Sequence, residues 1–292
     1  MDLSIEQEST AGDFLRASQE FRRLNPIETN VIGSVAESVA TGARSYQECF
    51  WWIVRRDGEV EGVAIRTVPH RLLISPMSKG AARKLAEAVI AIDPGCWGVS
   101  GAEESAEEFL ARWCELTDKQ LKDFPQHMRE TIYKLGEHTP LEGVVGLSRR
   151  AEASDVVLLL DWLKAFAKEV GVLHVEPTEV DLITRLESTP IFIWEVNGEP
   201  VAMSGHAALV ADAEGYIGRI GPVYTEPSAR GFGYGAAVTS AMVQHLQTVG
   251  CSIIMLYADA DYEKSNRLYQ KIGFRKVGTV LEFGSTPPIG ET

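Results

Sequence analysis

Apolar positions recur along the chain in two periods. Residues 14-FLRASQEFRRL-24 and 156-VVLLLDWLKAFAKEV-170 set apolar side chains three and four apart, the spacing of a helix with one buried face. The segments 26-PIETNVIGSVAES-38 and 177-PTEVDLITRLES-188 read the same way, and the proline that opens each predicts a helix start there. Around 50-FWWIVRRDGEVEGVAI-65 two apolar runs flank Asp57-Gly58, and around 192-FIWEVNGEPVAMSG-205 two flank Asn197-Gly198. Both dipeptides favour the tight turn of a β-hairpin. After each hairpin the pattern predicts a strand, a helix, a strand and a helix. The helices are 80-GAARKLAEAVIAI-92 and 105-SAEEFLARWCELT-117 in the first half, then 235-GAAVTSAMVQHL-246 and 262-YEKSNRLYQKI-272 in the second.

The same order of elements therefore occurs twice. It predicts two copies of one α/β unit, each of about 140 residues, an ordinary domain size. Proline and glycine punctuate 137-EHTPLEGVVG-146, so the division falls there, into residues 1–138 and 139–292. The aromatic run 50-FWW-52 reads as core.

Composition narrows the classes. The chain has 292 residues with 45% apolar content, enough to fill two cores. No apolar run approaches the ~20 residues of a membrane-spanning helix. The segment MDLSIEQEST has neither the basic nor the apolar part of a secretory signal. Cys49, Cys96, Cys114 and Cys251 are scattered without ligand spacing, and the 6 histidines form no H-x-x-x-H pair. No metal centre is expected, and the thiols read as reduced ones in the cytoplasm. The net charge of −13 disfavours nucleic acid and membrane surfaces as partners and suits a cationic acceptor.

The stretch 222-PVYTEPSARGFGYGAAVTSAMVQHL-246 needs a separate explanation. It carries glycine at 231, 233 and 235 at the mouth of a helix, where each weakens a helix by roughly 1 kcal/mol relative to alanine. A tight turn with positive φ, or close approach of a ligand to the backbone, would account for them. A helix N-terminus adds unpaired N–H groups and about half a positive charge, so the natural guest is a phosphate or pyrophosphate. The corresponding stretch of the first half, 76-PMSKGAARK-84, lacks the glycines. One site per chain is expected, in the second copy.

Two readings compete for these glycines. Gly231 to Ala236 satisfy G-x-G-x-x-A, and the strand 252-SIIMLY-257 with Asp259 follows, as in a dinucleotide-binding unit. Against it, Pro-Ser-Ala-Arg intervenes before the glycines, hairpin material precedes them, and little chain follows for further β-α repeats. A P-loop is excluded because no Gly-Lys-Ser/Thr occurs here.

The second reading is a resemblance to the GNAT acetyltransferase superfamily. The segment 225-TEPSARGFGYG-235 resembles that family's acyl-CoA motif, V-x-P-x-x-R/Q-G-x-G-x-G/A, with Thr225 in place of the aliphatic residue. The segment 266-NRLYQKIGF-274 resembles its second signature, and the two lie in the expected order. The resemblance covers about 140 to 292; the first half follows only in element order, as a degenerate copy. It implies a mixed α/β fold of two GNAT-like lobes, each a mostly antiparallel sheet flanked by helices. The implied reaction moves an acetyl group from acetyl-CoA to a primary amine of a small-molecule or peptide acceptor.

The resemblance also implies roles. Backbone N–H groups of Arg230, Gly231, Phe232, Gly233, Tyr234, Gly235 and Ala236 would hold the pyrophosphate, with Arg230 adding charge. A splayed strand at Val223, Tyr224 and Thr225 would pair with the pantetheine arm, and the Val223 N–H would polarise the thioester carbonyl. Asn266 would line the CoA channel, and Tyr269 would protonate the departing thiolate. Tyr269 is equally readable as a core aromatic, since Leu268, Tyr269 and Ile272 share a helical face. Glu195, His206 and Asp259 lie on or beside strands that could border the cleft, and none is singled out as a base. Trp113 falls where the first copy would need its tyrosine. The alternatives are a non-enzymatic CoA-binding protein on the same fold and a donor with a longer acyl chain.

Overall fold

The computed structural model describes residues 2–170, 177–212 and 214–285. They group into two units: residues 2–132 with 259–261 and 277–285, and the described residues between 133 and 258 with 262–276. The elements run β1 (Leu3–Glu8), α1 (Ala11–Ala17), α2 (Gln19–Leu24), α3 (Asn30–Ala40), β2 (Cys49–Arg56), β3 (Glu59–Thr67), β4 (Leu72–Ile74), α4 (Lys79–Ile92), β5 (Gly98–Ala102), α5 (Glu103–Leu116) and β6 (Gln126–Leu135). They continue with β7 (Leu147–Arg150), α6 (Val156–Val170), α7 (Glu179–Ser188), β8 (Phe192–Val196), β9 (Glu199–His206), β10 (Val210–Asp212), β11 (Gly215–Thr225), α8 (Tyr234–Thr248), β12 (Cys251–Asp259), α9 (Glu263–Ile272) and β13 (Phe274–Gly284).

In the first unit the sheet runs β1-β2-β3-β4-β5-β13. Only β4–β5 is parallel; β1–β2, β2–β3, β3–β4 and β5–β13 are antiparallel. Its last strand comes from far along the chain, with Val280 opposite Ala102 and Gly284 opposite Gly98. In the second unit the order is β12-β11-β9-β8-β7, with β10 on β11. Again one registered pair, β11–β12, is parallel, and β7–β8, β8–β9, β9–β11 and β10–β11 are antiparallel. A doubly wound parallel sheet, which the dinucleotide reading requires, is not what this unit builds.

Strand alternation sends side chains to two helical layers in each unit. Trp52 and Val54 pack against α4 and α5, while Trp51 and Ile53 pack against α1 and α3. In the second unit Ile193, Met203 and Tyr224 meet α6 and α7, and Ile220, Ile254 and Leu256 meet α8 and α9. Both hairpin turns close as expected: Asp57 and Asn197 take φ of 49° and 54°, the left-handed conformation these turns need.

Three helix starts differ from the sequence expectation. The pattern at 14–24 is two helices broken at Ser18, whose hydroxyl donates to Phe14 O at 2.6 Å. Helix α3 starts at Asn30 and not at Pro26, because residues 26–29 form turns closed by Thr29 N–H to Asn25 O at 3.1 Å. Helix α7 starts at Glu179 because Thr178 and Asp181 cap each other, at 3.1 Å in each direction. Pro177 is left outside it.

Candidate functional site

Strands β11 and β12 run side by side only as far as Ile220–Leu256. Beyond that pair β11 continues to Thr225, held on its other edge by β9, with Val223, Tyr224 and Thr225 opposite Ser204, Met203 and Ala202. A register shift between Ile220 and Val223 turns the strand, so both side chains pack toward α8 although three positions separate them. The result is a strand end with one edge turned away from its parallel neighbour.

A single 3-10 turn at Pro227–Ala229 follows, and then the glycines. Gly231 and Gly233 have φ of 92° and 86°, a conformation that a side chain would strain. Gly233 is the N-cap of α8, and no side chain caps that helix. Gly235 has a different reason: a Cβ there would stand 2.9 Å from Thr225 Oγ1, so only glycine lets α8 start on top of β11. Phe232, 66% exposed, stacks on Tyr234 with ring centroids 5.7 Å apart. Ala236 is buried in the α8/α9 core.

The second motif meets the first at this turn. Leu268 Cδ1 lies 3.9 Å from the Cβ position of Gly235, which brings α9 against the start of α8. Tyr269, the next residue, is buried in the same core as Ala236 and Leu256, between the rings of Tyr133 and Phe274 at 6.2 and 6.1 Å. Burial pushes its phenol up to about 12. Asn266, half-buried on α9, donates its side-chain amide to Tyr262 O at 3.1 Å.

Arg230 is held on three sides. Its Nη2 meets Glu169 Oε1 at 2.6 Å, its Nε donates to Thr225 O at 3.0 Å, and its guanidinium carbon lies 5.8 Å from the Tyr224 ring centre. Tyr224 leans on Trp162 (5.8 Å), and Trp162 Nε1 donates to Glu226 Oε2 at 3.0 Å. Sequence reasoning missed Trp162, Glu169 and Glu226. Their only local signal is that Trp162 and Glu169 stand seven apart on α6, two turns along one face.

The three side chains considered for a base are differently placed. Glu195 is paired with Arg149 at 2.7 Å, and Arg149 also grips Asp155. His206 is 3% exposed, donates its Nδ1–H to Ala207 O at 2.7 Å, and lies 6.0 Å from the His245 ring of α8. Burial holds His206 below its ordinary value. Asp259 is exposed and accepts from Asp261 N–H at 2.9 Å within the first unit. Among the described residues no group of His, Cys, Asp and Glu is placed to hold a metal ion, and no helix is long and apolar enough to cross a membrane.

The first unit has the same parallel pair and closes it. Strands β4 and β5 stay together to Ile74–Gly101. Just beyond, Ser105 Oγ accepts from Met77 N–H at 3.0 Å and donates to Met77 O at 3.1 Å. Ser78 caps α4, and its own N–H donates to Glu61 Oε1 at 3.3 Å. A carboxylate of the chain itself thus occupies that helix start. Trp113 is core, stacked on Phe109 at 5.9 Å.

Comparison with known proteins follows the second unit. Residues 158–274 match the model of the Acetyltransferase (GNAT) family. A mycothiol acetyltransferase of Paenarthrobacter aurescens is 40% identical over 96 residues, 32% of this chain and 30% of that protein. Another, of Pseudarthrobacter chlorophenolicus, is 33% identical over 114 residues, 37% of this chain and 35% of that one. The matched stretch therefore spans only about a third of those relatives' length. Among solved structures, a GCN5-related N-acetyltransferase from Sphaerobacter thermophilus gives a TM-score of 0.62 at 14% identity, over 96% of this chain and 94% of that one. An acetyltransferase of the GNAT family from Colwellia psychrerythraea gives 0.58 at 11%, over 97% and 100%. The family model thus matches residues 158–274, and the fold of the chain is similar to that of solved acetyltransferases of this kind.

Proposed function

We propose that this protein is a GNAT-type N-acetyltransferase that moves an acetyl group from acetyl-CoA directly to a primary amine. The observation that carries this reading is the parting of β11 from β12 after Ile220–Leu256, beside a helix start that no side chain caps. The pyrophosphate would sit on N–H groups between Arg230 and Ala236, and the pantetheine arm would run along Val223, Tyr224 and Thr225. Asn266 would flank the arm from α9. A helix start left without a cap has N–H donors to offer an anion.

The thioester is already activated, so the protein's main task is alignment. The amine nitrogen attacks the thioester carbon, the C–S bond breaks, and the amine gives up a proton as CoA leaves. The Val223 N–H would polarise the carbonyl oxygen. A phenol near 12 does not readily surrender its proton to a thiolate of reference pKa about 8.5; full transfer would cost about 5 kcal/mol. Tyr269 would therefore act chiefly by donating a hydrogen bond to the sulfur, with solvent delivering the proton. An alkyl ammonium, at about 10.4, must enter as its neutral minority form.

The relatives' name supports a small-molecule acceptor, and mycothiol-related amines are the first class to test. The closed helix start of the first unit, with Ser78 and Glu61 in place, supports one acetyl-CoA per chain. The proposed division by copy is a first, 1–138, without the motif and a second, 139–292, with it, the strand at 280–284 of the second completing the first unit's sheet.

Calorimetric titration with acetyl-CoA, in parallel with Gly233→Val, tests the reading. One molecule bound per chain and none in the variant supports it; no binding by the native protein sinks it. Binding without turnover on any amine would favour the non-enzymatic alternative. Competition among acyl-CoAs of different length identifies the donor.

A further inference from the structure

We propose that Glu169 is a positioning residue for the glycine loop, and that Arg230 serves as a strut of that loop and not as a charge for the phosphate. The inference rests on the acetyl-CoA reading for its consequence, but its structural half stands on the loop alone. Arg230 is the first residue of the loop, and its guanidinium is turned back toward β11 and α6. It meets Glu169 Oε1 at 2.6 Å and Thr225 O at 3.0 Å, and lies beside the Tyr224 ring. Tyr224 belongs to the α6/α7 core, whereas Ala236 lies in the α8/α9 core and Gly235 stands against Thr225. The charged end of Arg230 therefore lies on the face of β11 away from the helix start.

Helix α6 grips both ends of the segment 224–230. Trp162 holds the near end through the Tyr224 ring and Glu226, and Glu169, two turns on, holds the far end through Arg230. Such a clamp is needed here. Gly231 and Gly233 give the loop wide conformational freedom, no side chain caps α8, and ordering a loop at the moment of binding lowers affinity. A strut that orders the loop beforehand removes part of that cost.

The two roles of Arg230 predict opposite signs for Glu169→Gln. If the guanidinium served the phosphate, Glu169 would compete for it, and its neutralisation would tighten acetyl-CoA binding. If Arg230 is a strut, the same change loosens the loop and weakens binding. The pair is part-exposed, 40% and 45%, and exposed pairs have modest effects, so a loss of about two- to fivefold is expected. Arg230→Lys separates the roles again: it keeps the charge but loses the fork that reaches Glu169 and Thr225 together.

The experiment measures amide hydrogen exchange over residues 226–236 in the ligand-free protein, and acetyl-CoA affinity by calorimetry, for the native chain, Glu169→Gln and Arg230→Lys. The expected result is faster exchange confined to that segment in both variants, an unchanged melting temperature, and two- to fivefold weaker binding. In steady-state assays the acetyl-CoA KM rises and kcat holds. Unchanged exchange overturns the strut whatever the affinity does, and so does tighter binding by Glu169→Gln. Faster exchange in a protein whose native form fails to bind acetyl-CoA would leave the strut standing and overturn the acetyltransferase reading instead.

Discussion

Thr225 Oγ1 stands 2.9 Å from the point where a side chain on Gly235 would begin, so the first turn of α8 rests on the last residue of β11. Helix start and strand end are one rigid corner, and the proposed pyrophosphate and pantetheine contacts share it. Gly235→Ala should destabilise the fold by about 1–3 kcal/mol through overpacking and weaken acetyl-CoA binding with it. Adding Thr225→Ala removes the clashing oxygen and should return most of the stability. Urea denaturation of the single and double variants reads this directly; a double variant as unstable as Gly235→Ala would mean that the strain lies elsewhere.

Tyr269→Phe should lower kcat by about ten- to a hundredfold, the lower range for a group that donates a hydrogen bond without full proton transfer, and leave acetyl-CoA affinity unchanged. Because burial raises the phenol to about 12, the pH–rate profile should show no loss assignable to Tyr269 up to about pH 10. Its linkage to stability has the matching sign: the contribution is complete below the unfolded phenol's value and disappears as pH rises through about 12. An alkaline activity loss near neutrality that Tyr269→Phe abolishes would contradict this.

The His206–His245 pair should make the protein acid-sensitive. Burial holds both imidazoles below 6.5, and the nearby cations, Arg185 and His245 for His206 and Arg150 for His245, act in the same direction. The unfolded chain then binds more protons than the folded one, so stability is complete above 6.5 and is lost as pH falls through the lowered folded values. Urea midpoints at about pH 7.5 and about pH 5.5 should differ less in His206→Gln than in the native protein. Equal slopes would show that other groups govern the acid limb.

In the first unit Arg66, 4% exposed, pairs with Asp93 at 2.6 Å. Burial pushes the Asp93 carboxyl up, and Arg66 only partly opposes it. Asp93→Ala leaves a buried guanidinium without its counter-ion and should destabilise by about 3–5 kcal/mol. The double change Asp93→Ala with Arg66→Met should be milder than Asp93→Ala alone. Thermal denaturation of the native protein, Asp93→Ala, Arg66→Met and the double variant gives the coupling, and additive losses would mean that the two charges do not act as a pair.

Local chemistry made much of this fold readable. Asp57-Gly58 and Asn197-Gly198 marked both hairpins, and helical spacing marked α4, α6 and α8, because turn propensity and one-face burial are written in neighbouring residues. The glycines at 231, 233 and 235 announced a strand–helix corner for the same reason. Helix starts were misjudged at Pro26 and Pro177, where local turns and a Thr178–Asp181 cap outweigh the preset angle of proline. Short strands such as β1 (LSIEQE) and β7 (LSRR) carry too little alternation to stand out. The Glu169–Arg230 contact joins residues 61 positions apart, and no local pattern encodes it. The parting of β11 from β12 was expected only through the family resemblance, since spacing alone does not specify where two strands separate.

The pairing of β13 with β5 has a consequence for how the chain comes into being. Residues 280–284 complete the first unit's sheet, yet the ribosome makes them only after every other strand and helix described here. Until then β5 presents a bare hydrogen-bonding edge, a template for wrong partners. The first half cannot mature in the order in which it is synthesised, and a fragment that ends at its apparent boundary would carry that open edge permanently.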